Sequence, residues 1–419
     1  MTQSLLENVP KSSTGPEVPA PWLSLIGLGE DGPAGLSTEA RAALADAEIV
    51  FGGDRHVALV QGTVPGELRP WPQPFRNALP QILAERGRKV CVLATSDPFH
   101  YGIGNSLSRA IPAEEMRIIP QLSSFSMACT RMRWPQEECA LVSLHGRTLY
   151  RIVPHLQPGA RILALSWDET TPRAVAELLT ARGLGGSRIT VMESLGGPQE
   201  RVREVQASAF ALDGTVPLNL IAVEVVATRD SRILPLTPGL DEEWFAHDGQ
   251  ITKSEIRSVT ISALAPRGGE LLWDVGAGSG SVAVEWCQRH MHNRAIAFEA
   301  KADRAERIAR NKLELGGLNV TVVGAAPAGF VGRDAPDAVF IGGGLTEEGL
   351  FEAAWEALKP GGRLVANVVT IEGEAKLAEL YAVHGGSLRR ISIDRLAPVG
   401  GKHGWRPAMP VTQWRVEKP

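Results

Sequence analysis

Residues 270–290 read ELLWDVGAGSGSVAVEWCQRH. An apolar run, Leu271 to Val275, passes straight into Gly276-Ala277-Gly278-Ser279-Gly280 and then into a stretch with helical spacing. Strand, glycine loop and helix in this order open an α/β unit. Its glycines let the backbone turn sharply and approach a ligand, and its helix N-terminus offers unpaired N–H groups. A nucleotide-like ligand is expected at this loop. The dinucleotide fingerprint would place a further glycine at position 281; Ser281 stands there, which weakens a pyrophosphate reading. Asp274 enters the loop and can meet a cationic ligand. Glu299 lies about twenty residues past the last glycine, at the end of the next apolar run, where an acid can take both hydroxyls of a ribose.

Outward from this loop the alternation continues. ELLWDVG, RAIAFEA, NVTVVGA, DAVFIGG and RLVANVV are five apolar strands, and LRRISIDRLA and VTQWRVEK add two more with no helix between them. This pattern predicts a doubly wound parallel sheet closed by a hairpin, with an antiparallel strand at the edge. Just upstream, Thr252 and Glu255 have the spacing of a capping box. Lys253 and Arg257, four apart on one helical face, form a pair of cations suited to gripping carboxylates or to making a solvated basic edge.

Before the segment TRDSRILPLTPGLDEEW, apolar runs such as WLSLIGLG, KVCVLATS, RILALS and LNLIAVEVV again alternate with helical patterns, so a second α/β domain is expected. The boundaries read as a disordered tail over 1–20, a first domain over 21–230, a linker over 231–238 and a second domain over 239–419. No internal repeat links the halves.

With 419 residues, 44% hydrophobic and 21% charged, the chain can bury full cores. Its 43 Lys and Arg against 47 Asp and Glu give a net charge of −4, which argues against nucleic-acid or membrane-surface partners. Four scattered cysteines, Cys91, Cys129, Cys139 and Cys287, support neither a disulfide framework nor a metal cluster, so no metal is expected and a reducing cytoplasm fits best. Neither a signal peptide nor an apolar run of spanning length is evident.

HDGQITKSEIRSVTISAL, WDVGAGSGSVAVEW, AFEAKADRAERIARN and LKPGGRLVANVVTIE occur in order. Together they resemble the methyltransferase-and-decarboxylase module of cobalamin biosynthesis, which is similar to a class I S-adenosylmethionine methyltransferase. The resemblance implies a Rossmann-like domain with a seven-stranded, mostly parallel sheet. It implies S-adenosylmethionine over Gly276, Ala277, Gly278, Ser279 and Gly280, with Glu299 on the ribose and Thr252 and Asp274 nearby. The family's Gly-Asp-Ala-Pro is here Gly324-Ala325-Ala326-Pro327, which leaves Ala325 and Ala326 to hold adenine by backbone and shape. The closing segment APVGGKHGWRPAMPVTQW resembles the family's substrate-side loop and contributes Lys402, His403 and Arg406 beside Lys253 and Arg257.

In the first half, Gly27-Leu28-Gly29-Glu30-Asp31-Gly32 is a literal GxGxxG after a strand, but Pro33 follows and a helix starts only near Ser37 or Thr38, so a dinucleotide reading is weak. LIGLGEDGPAGLSTEARAAL, ATSDPFHYGIGNSL, IPQLSSFSMACTRMRWPQEECALVSLHGR and PLNLIAVEVV, in order, resemble a tetrapyrrole methylase of the class III fold, in which two α/β subdomains enclose a cleft. The family's Gly-Asp-Pro appears as Ser96-Asp97-Pro98. The resemblance implies that Asp97, Pro98, Ser123 and Ser124 line a second S-adenosylmethionine cleft and that Gly27, Gly29 and Asp31 face the macrocycle. Ser123 and Ser124 also read as helix N-caps.

Fused in this order, the modules resemble the bifunctional, decarboxylating methyltransferases of cobalamin biosynthesis. The resemblance implies a precorrin macrocycle as substrate, methylated at carbon 5 by the first half and at carbon 15 by the second, which also removes the ring C acetate as carbon dioxide. Two bound S-adenosylmethionine molecules and a homo-oligomer go with it. Rival readings are a nicotinamide dehydrogenase, opposed by Ser281 and Pro33, and a chain with one inactive half, to which Ala325 and Ser96 would point.

Overall fold

The computed structural model describes residues 21–419, so the expected tail lies outside the described residues. Two compact units emerge. One comprises residues up to His145 with Arg161–Leu178 and Ser187–Glu224, and the other comprises Gly146–Ala160, Leu179–Gly186 and Val225–Pro419.

The first unit holds two five-stranded sheets. Strands β1 (Leu23–Leu28), β2 (Ile49–Gly52), β3 (Glu67–Pro70), β4 (Val90–Thr95) and β5 (Met116–Ile119) pair in the order β3-β2-β4-β1-β5, all parallel. A parallel sheet is covered on both faces, and β1 shows the consequence residue by residue. Leu23 and Leu25 enter one apolar cluster while Ile26 and Leu28 enter the other. In β4, Val90, Val92 and Ala94 share the first cluster, and Cys91 and Leu93 the second. This two-sided burial is why these strands read as continuous apolar runs. The second sheet, from β6 (Cys139–Ser143), β7 (Arg161–Leu165), β8 (Arg188–Glu193), β9 (Arg201–Gln206) and β10 (Asn219–Glu224), is mixed, in the order β6-β7-β10-β8-β9. Only its β6–β7 pair is parallel.

The other unit is built on seven strands: β11 (Leu271–Val275), β12 (Arg294–Phe298), β13 (Val320–Val323), β14 (Ala338–Ile341), β15 (Arg363–Val368), β16 (Ser387–Ile391) and β19 (Val411–Glu417). Their order is β13-β12-β11-β14-β15-β19-β16, with the first five parallel. The expected seven-stranded, mostly parallel sheet is present. The antiparallel strand, however, is not at the edge. β19 pairs antiparallel with both β15 and β16, so the edge is β16. Trp414 of β19 is fully buried against Phe351 and His384, with ring centroids 5.8 and 6.4 Å away, and donates its indole N–H to the Gly385 carbonyl at 2.9 Å; a strand carrying so large a core side chain belongs inside the sheet rather than at its edge. A separate exposed hairpin, β17 (Asp394–Val399) with β18 (Lys402–Pro407), projects from the chain between β16 and β19.

The helix Ser254–Leu264 is not started by the expected capping box. Its cap is Lys253, which makes no side-chain capping bond, and the Ser254 N–H donates instead to Glu242 Oε1 at 2.7 Å. Glu255 turns outward to Arg395 of the hairpin, 2.5 Å away. The Arg395 guanidinium outcompeted the backbone N–H that Glu255 would have accepted in the box. Among the described residues, no helix is long and apolar enough to cross a membrane.

Candidate active site

A cleft of about 620 Å³ opens in the seven-stranded unit where β11, β12, β14 and β15 end. This is where the topology leaves a crevice beside the point at which strand order reverses. β11 delivers the glycine loop. Gly276, Gly278 and Gly280 all have positive φ (72°, 58° and 74°), which only glycine adopts freely. A Cβ on Gly280 would lie 2.7 Å from Ile308 Cγ2, and one on Gly276 would lie 3.0 Å from the Gly343 nitrogen. The loop is thus kept bare by fit as well as by conformation.

Two acids flank it. Asp274 is 1% exposed; its Oδ2 accepts the Ala283 N–H at 3.0 Å, and Oδ1 has no partner among the described residues. Burial pushes its carboxyl up to about 7, opposed by the Ala283 N–H and reinforced by the Glu299 charge. Glu299, at the end of β12, accepts from Gly278 N at Oε2 and from Lys301 N at Oε1, both 2.9 Å. Each of its oxygens retains a lone pair. A backbone cradle without side chains, a buried carboxylate oxygen lacking a partner and a pre-oriented second carboxylate fit a cationic nucleoside such as S-adenosylmethionine.

Thr252, Lys253, Asp274, Gly276, Ala277, Gly278, Glu299, Ala325 and Ala326 all line this one cleft. Ser279 and Gly280 do not; Ser279 is buried and Gly280 turns the chain against Ile308. Arg257 corrects the sequence reading. It has no exposed surface, pairs with Glu285 at 2.6 Å and donates to the carbonyls of Thr252 and Leu240, so it shapes the wall from behind and cannot grip a substrate. His403 is also corrected: it sits exposed in β18 opposite Pro398, with Lys402 and Arg406 on the same strand, and none of the three lines the cleft. The hairpin contributes Arg395 instead. Sequence reasoning missed Arg395, and also Arg304, Glu347 and Asn367. Of these only Arg304, in the first turn after the acid-tipped strand, and Asn367, at the end of the fifth apolar run, had a positional signal.

In the first unit, the C-terminal end of β1 meets the loop after β4. A Cβ on Gly27 would fall 1.8 Å from the Ser96 carbonyl oxygen, and Ser96 N donates to Leu28 O while Gln121 N donates to Ser96 O, each at 3.1 Å. Ser96 has φ 53°, the left-handed conformation that explains why glycine suits this position. Asp97 Oδ1 accepts the Phe99 N–H at 2.9 Å, fixing the turn through Pro98. Ser123 caps the helix Ser124–Met132 by accepting the Ser126 N–H at 3.1 Å, so the capping role is realised. Asp31 folds back over Gly29 and Gly35, and a Cβ on Gly35 would lie 1.7 Å from its Oδ2. Sequence reasoning missed a network behind these loops. Glu30 pairs with Arg55, which donates to Thr95 at 2.9 Å, and His56 Nε2 lies 3.1 Å from the same hydroxyl. Burial, with the Arg55 charge beside it, pulls His56 down to about 4 and keeps it neutral.

Residues 23–211 match the family model of tetrapyrrole (corrin/porphyrin) methylases, and residues 243–418 match that of a precorrin methyltransferase domain. The fold and its glycine-loop cleft therefore belong to an S-adenosylmethionine-dependent methyltransferase assembled from two different modules. A precorrin-6Y C(5,15)-methyltransferase (decarboxylating) from a Sinorhizobium species is 51% identical over 97% of this chain and 99% of its own length. One from Mycobacterium tuberculosis is 43% identical over 94% of this chain and 99% of its own. The chain belongs to the precorrin-6Y C(5,15)-methyltransferase (decarboxylating) family. Among solved structures, the C-terminal domain of the Rhodobacter capsulatus precorrin-6Y C5,15-methyltransferase is 49% identical, covering 44% of this chain and 100% of that one, with a TM-score of 0.42.

Proposed function

We propose that this chain methylates precorrin-6Y (6B) at carbons 5 and 15 and removes the ring C acetate as carbon dioxide, giving precorrin-8 in cobalamin biosynthesis. The observation that carries the reading is likeness over nearly the whole chain, both modules included, to relatives of that name. Each module, 21–230 and 239–419 with 231–238 between them, holds its own S-adenosylmethionine. The first acts at carbon 5, and the second acts at carbon 15 and decarboxylates.

Bound S-adenosylmethionine supplies a methyl group already activated by its sulfonium, so no catalytic triad is required. What the chain must supply is position, with donor methyl and acceptor carbon brought to about 3–3.5 Å in line. In the second module, Glu299 takes the ribose hydroxyls, the Gly276–Gly280 backbone admits the ligand closely, and Ala325 and Ala326 flank adenine. Asp274 offers its free oxygen to the ligand's positive charge. Lys253 faces the substrate carboxylates. In the first module, Asp97, Pro98, Ser123 and Ser124 hold the donor, and Gly27, Gly29 and Asp31 face the macrocycle. A cytoplasmic homo-oligomer is part of the same proposal.

Incubation of the full chain with precorrin-6Y and S-adenosylmethionine, followed by mass analysis, tests this. The expected product gains two methyls and loses carbon dioxide. A one-methyl product that keeps the acid overturns the assignment of the halves.

A further inference from the structure

We propose that Asn367 orients the carboxylate that leaves as carbon dioxide, holding it with a neutral amide where other carboxylates are held by cations. This rests on the reading above that the second module's cleft decarboxylates.

Asn367 ends β15 on the cleft wall, and its amide is fixed from behind by two buried side chains that do not line the cleft, Thr260 and Gln413. The Thr260 hydroxyl donates to the Ile256 carbonyl at 2.8 Å, so its oxygen can only accept. Asn367 Nδ2 donates to that oxygen at 2.8 Å and Gln413 Nε2 at 3.3 Å, while Gln413 Nε2 also donates to Asn367 Oδ1 at 3.0 Å. These bonds allow one orientation of the Asn367 amide and leave one Nδ2 hydrogen uncommitted. The arrangement leaves buried Gln413 Oε1 without a partner among the described residues. An orphaned acceptor behind a fixed donor is the kind of local cost found where geometry serves a ligand.

The charged groups on the same walls are mostly engaged. Arg304 pairs with Asp248 and Arg395 with Glu255, whereas Lys253 has no ion-pair partner among the described residues; Glu347 is the further acid beside Asp274 and Glu299. In decarboxylation the carbon–carbon bond to the carboxylate breaks, its electron pair enters the conjugated macrocycle, and the methylene carbon later takes a proton from water. The net change is RCH2COO⁻ plus H⁺ to RCH3 plus CO2. Negative charge leaves the carboxylate in the transition state, so a guanidinium or ammonium clamp would stabilise the ground state more and slow the step. A neutral N–H orients the group with less of that penalty. Lys253 is left for a carboxylate that stays.

The test uses the full chain with precorrin-6Y and S-adenosylmethionine, products resolved by mass, in Asn367→Leu and Asn367→Asp. Both should yield doubly methylated product that retains the acid, the decarboxylated fraction falling by about tenfold or more, as loss of a positioning contact implies. S-adenosylhomocysteine binding by calorimetry should remain at the wild-type level, showing a folded cleft. If Asn367→Leu fails to bind it, Asn367→Asp, of the same size, decides. Unchanged decarboxylation, or equal loss of methylation and decarboxylation, overturns the proposal. Glu299→Ala reports on the underlying reading separately: it should remove the second methylation and decarboxylation together, and retention of both would mean this cleft is not the decarboxylating one whatever Asn367 does.

Discussion

Arg257 Nε and Glu285 Oε1 meet at 2.6 Å with neither side chain exposed to solvent. The same carboxylate accepts the N–H groups of Gly239 and Leu240 at 2.7 and 3.0 Å, and the guanidinium stacks 4.8 Å from the Phe245 ring centre. The pair therefore ties residues 239–240 and the helix Ser254–Leu264 to the helix after the glycine loop. Removing one partner strands a buried charge, so Arg257→Met should cost about 3–5 kcal/mol. Urea unfolding of the full chain measures it. An unchanged midpoint would contradict the structural role, whereas a raised KM in a fully stable variant would restore Arg257 as a substrate clamp.

Asp274 sets a pH dependence. Its folded carboxyl titrates at about 7, above the ordinary 3.8, so between those values the folded chain binds a proton that the unfolded chain does not. Stability should therefore fall as pH rises through this window, by at most about 1.4 kcal/mol per pH unit from this group. Asp274→Asn can keep the bond from Ala283 and should flatten that part of the curve. Denaturation midpoints between pH 4.5 and 8 would show whether the two curves differ in this way.

His56 makes a contribution of opposite sign. Its folded value of about 4 lies below the ordinary 6.5, so the unfolded chain binds the extra proton between them and stability should rise with pH over that range. Proton titration followed by NMR should find the His56 ring unchanged from pH 8 to 5.5. A midpoint near 6.5 would mean the ring is not enclosed as described.

Gly280→Ala probes the glycine loop. An alanine there must hold φ near 74° and bring its Cβ to 2.7 Å from Ile308, costing roughly 1–2 kcal/mol for the backbone alone. The loop can relieve this strain only by moving out of the geometry that receives the ligand, so S-adenosylhomocysteine binding should weaken by about tenfold, the same energy expressed as affinity. Adding Ile308→Ala should recover part of the loss by removing the clash. No recovery would place the whole effect in the backbone.

Much of this architecture was legible because parallel strands buried on both faces, such as LLWDV and LSLIGL, write themselves as apolar runs followed by glycine turns. The Gly276–Gly280 loop and Glu299 were legible for the same reason, since their spacing is set by one strand, one turn and one helix. What was not legible depended on distant partners. Four-residue spacing put Lys253 and Arg257 on one face, but nothing local says that Glu285 waits behind Arg257. Thr252 and Glu255 had capping-box spacing, yet Arg395, far along the chain, drew the glutamate away. Likewise His403 looked like a site residue in a cationic loop, whereas the hairpin's pairing register turns its strand to solvent and leaves Arg395 at the cleft.

The placement of β19 between β15 and β16 has a bearing on how the molecule is made. Among the described residues, β16 has no neighbour in the sheet other than β19. As the chain emerges from the ribosome, residues 387–391 have no strand to pair with until 411–417 have followed them out, with the hairpin 394–407 in between. Asn367 and Gln413 come together in that same late step, so the wall that faces the ligand is among the last parts of the lobe to set.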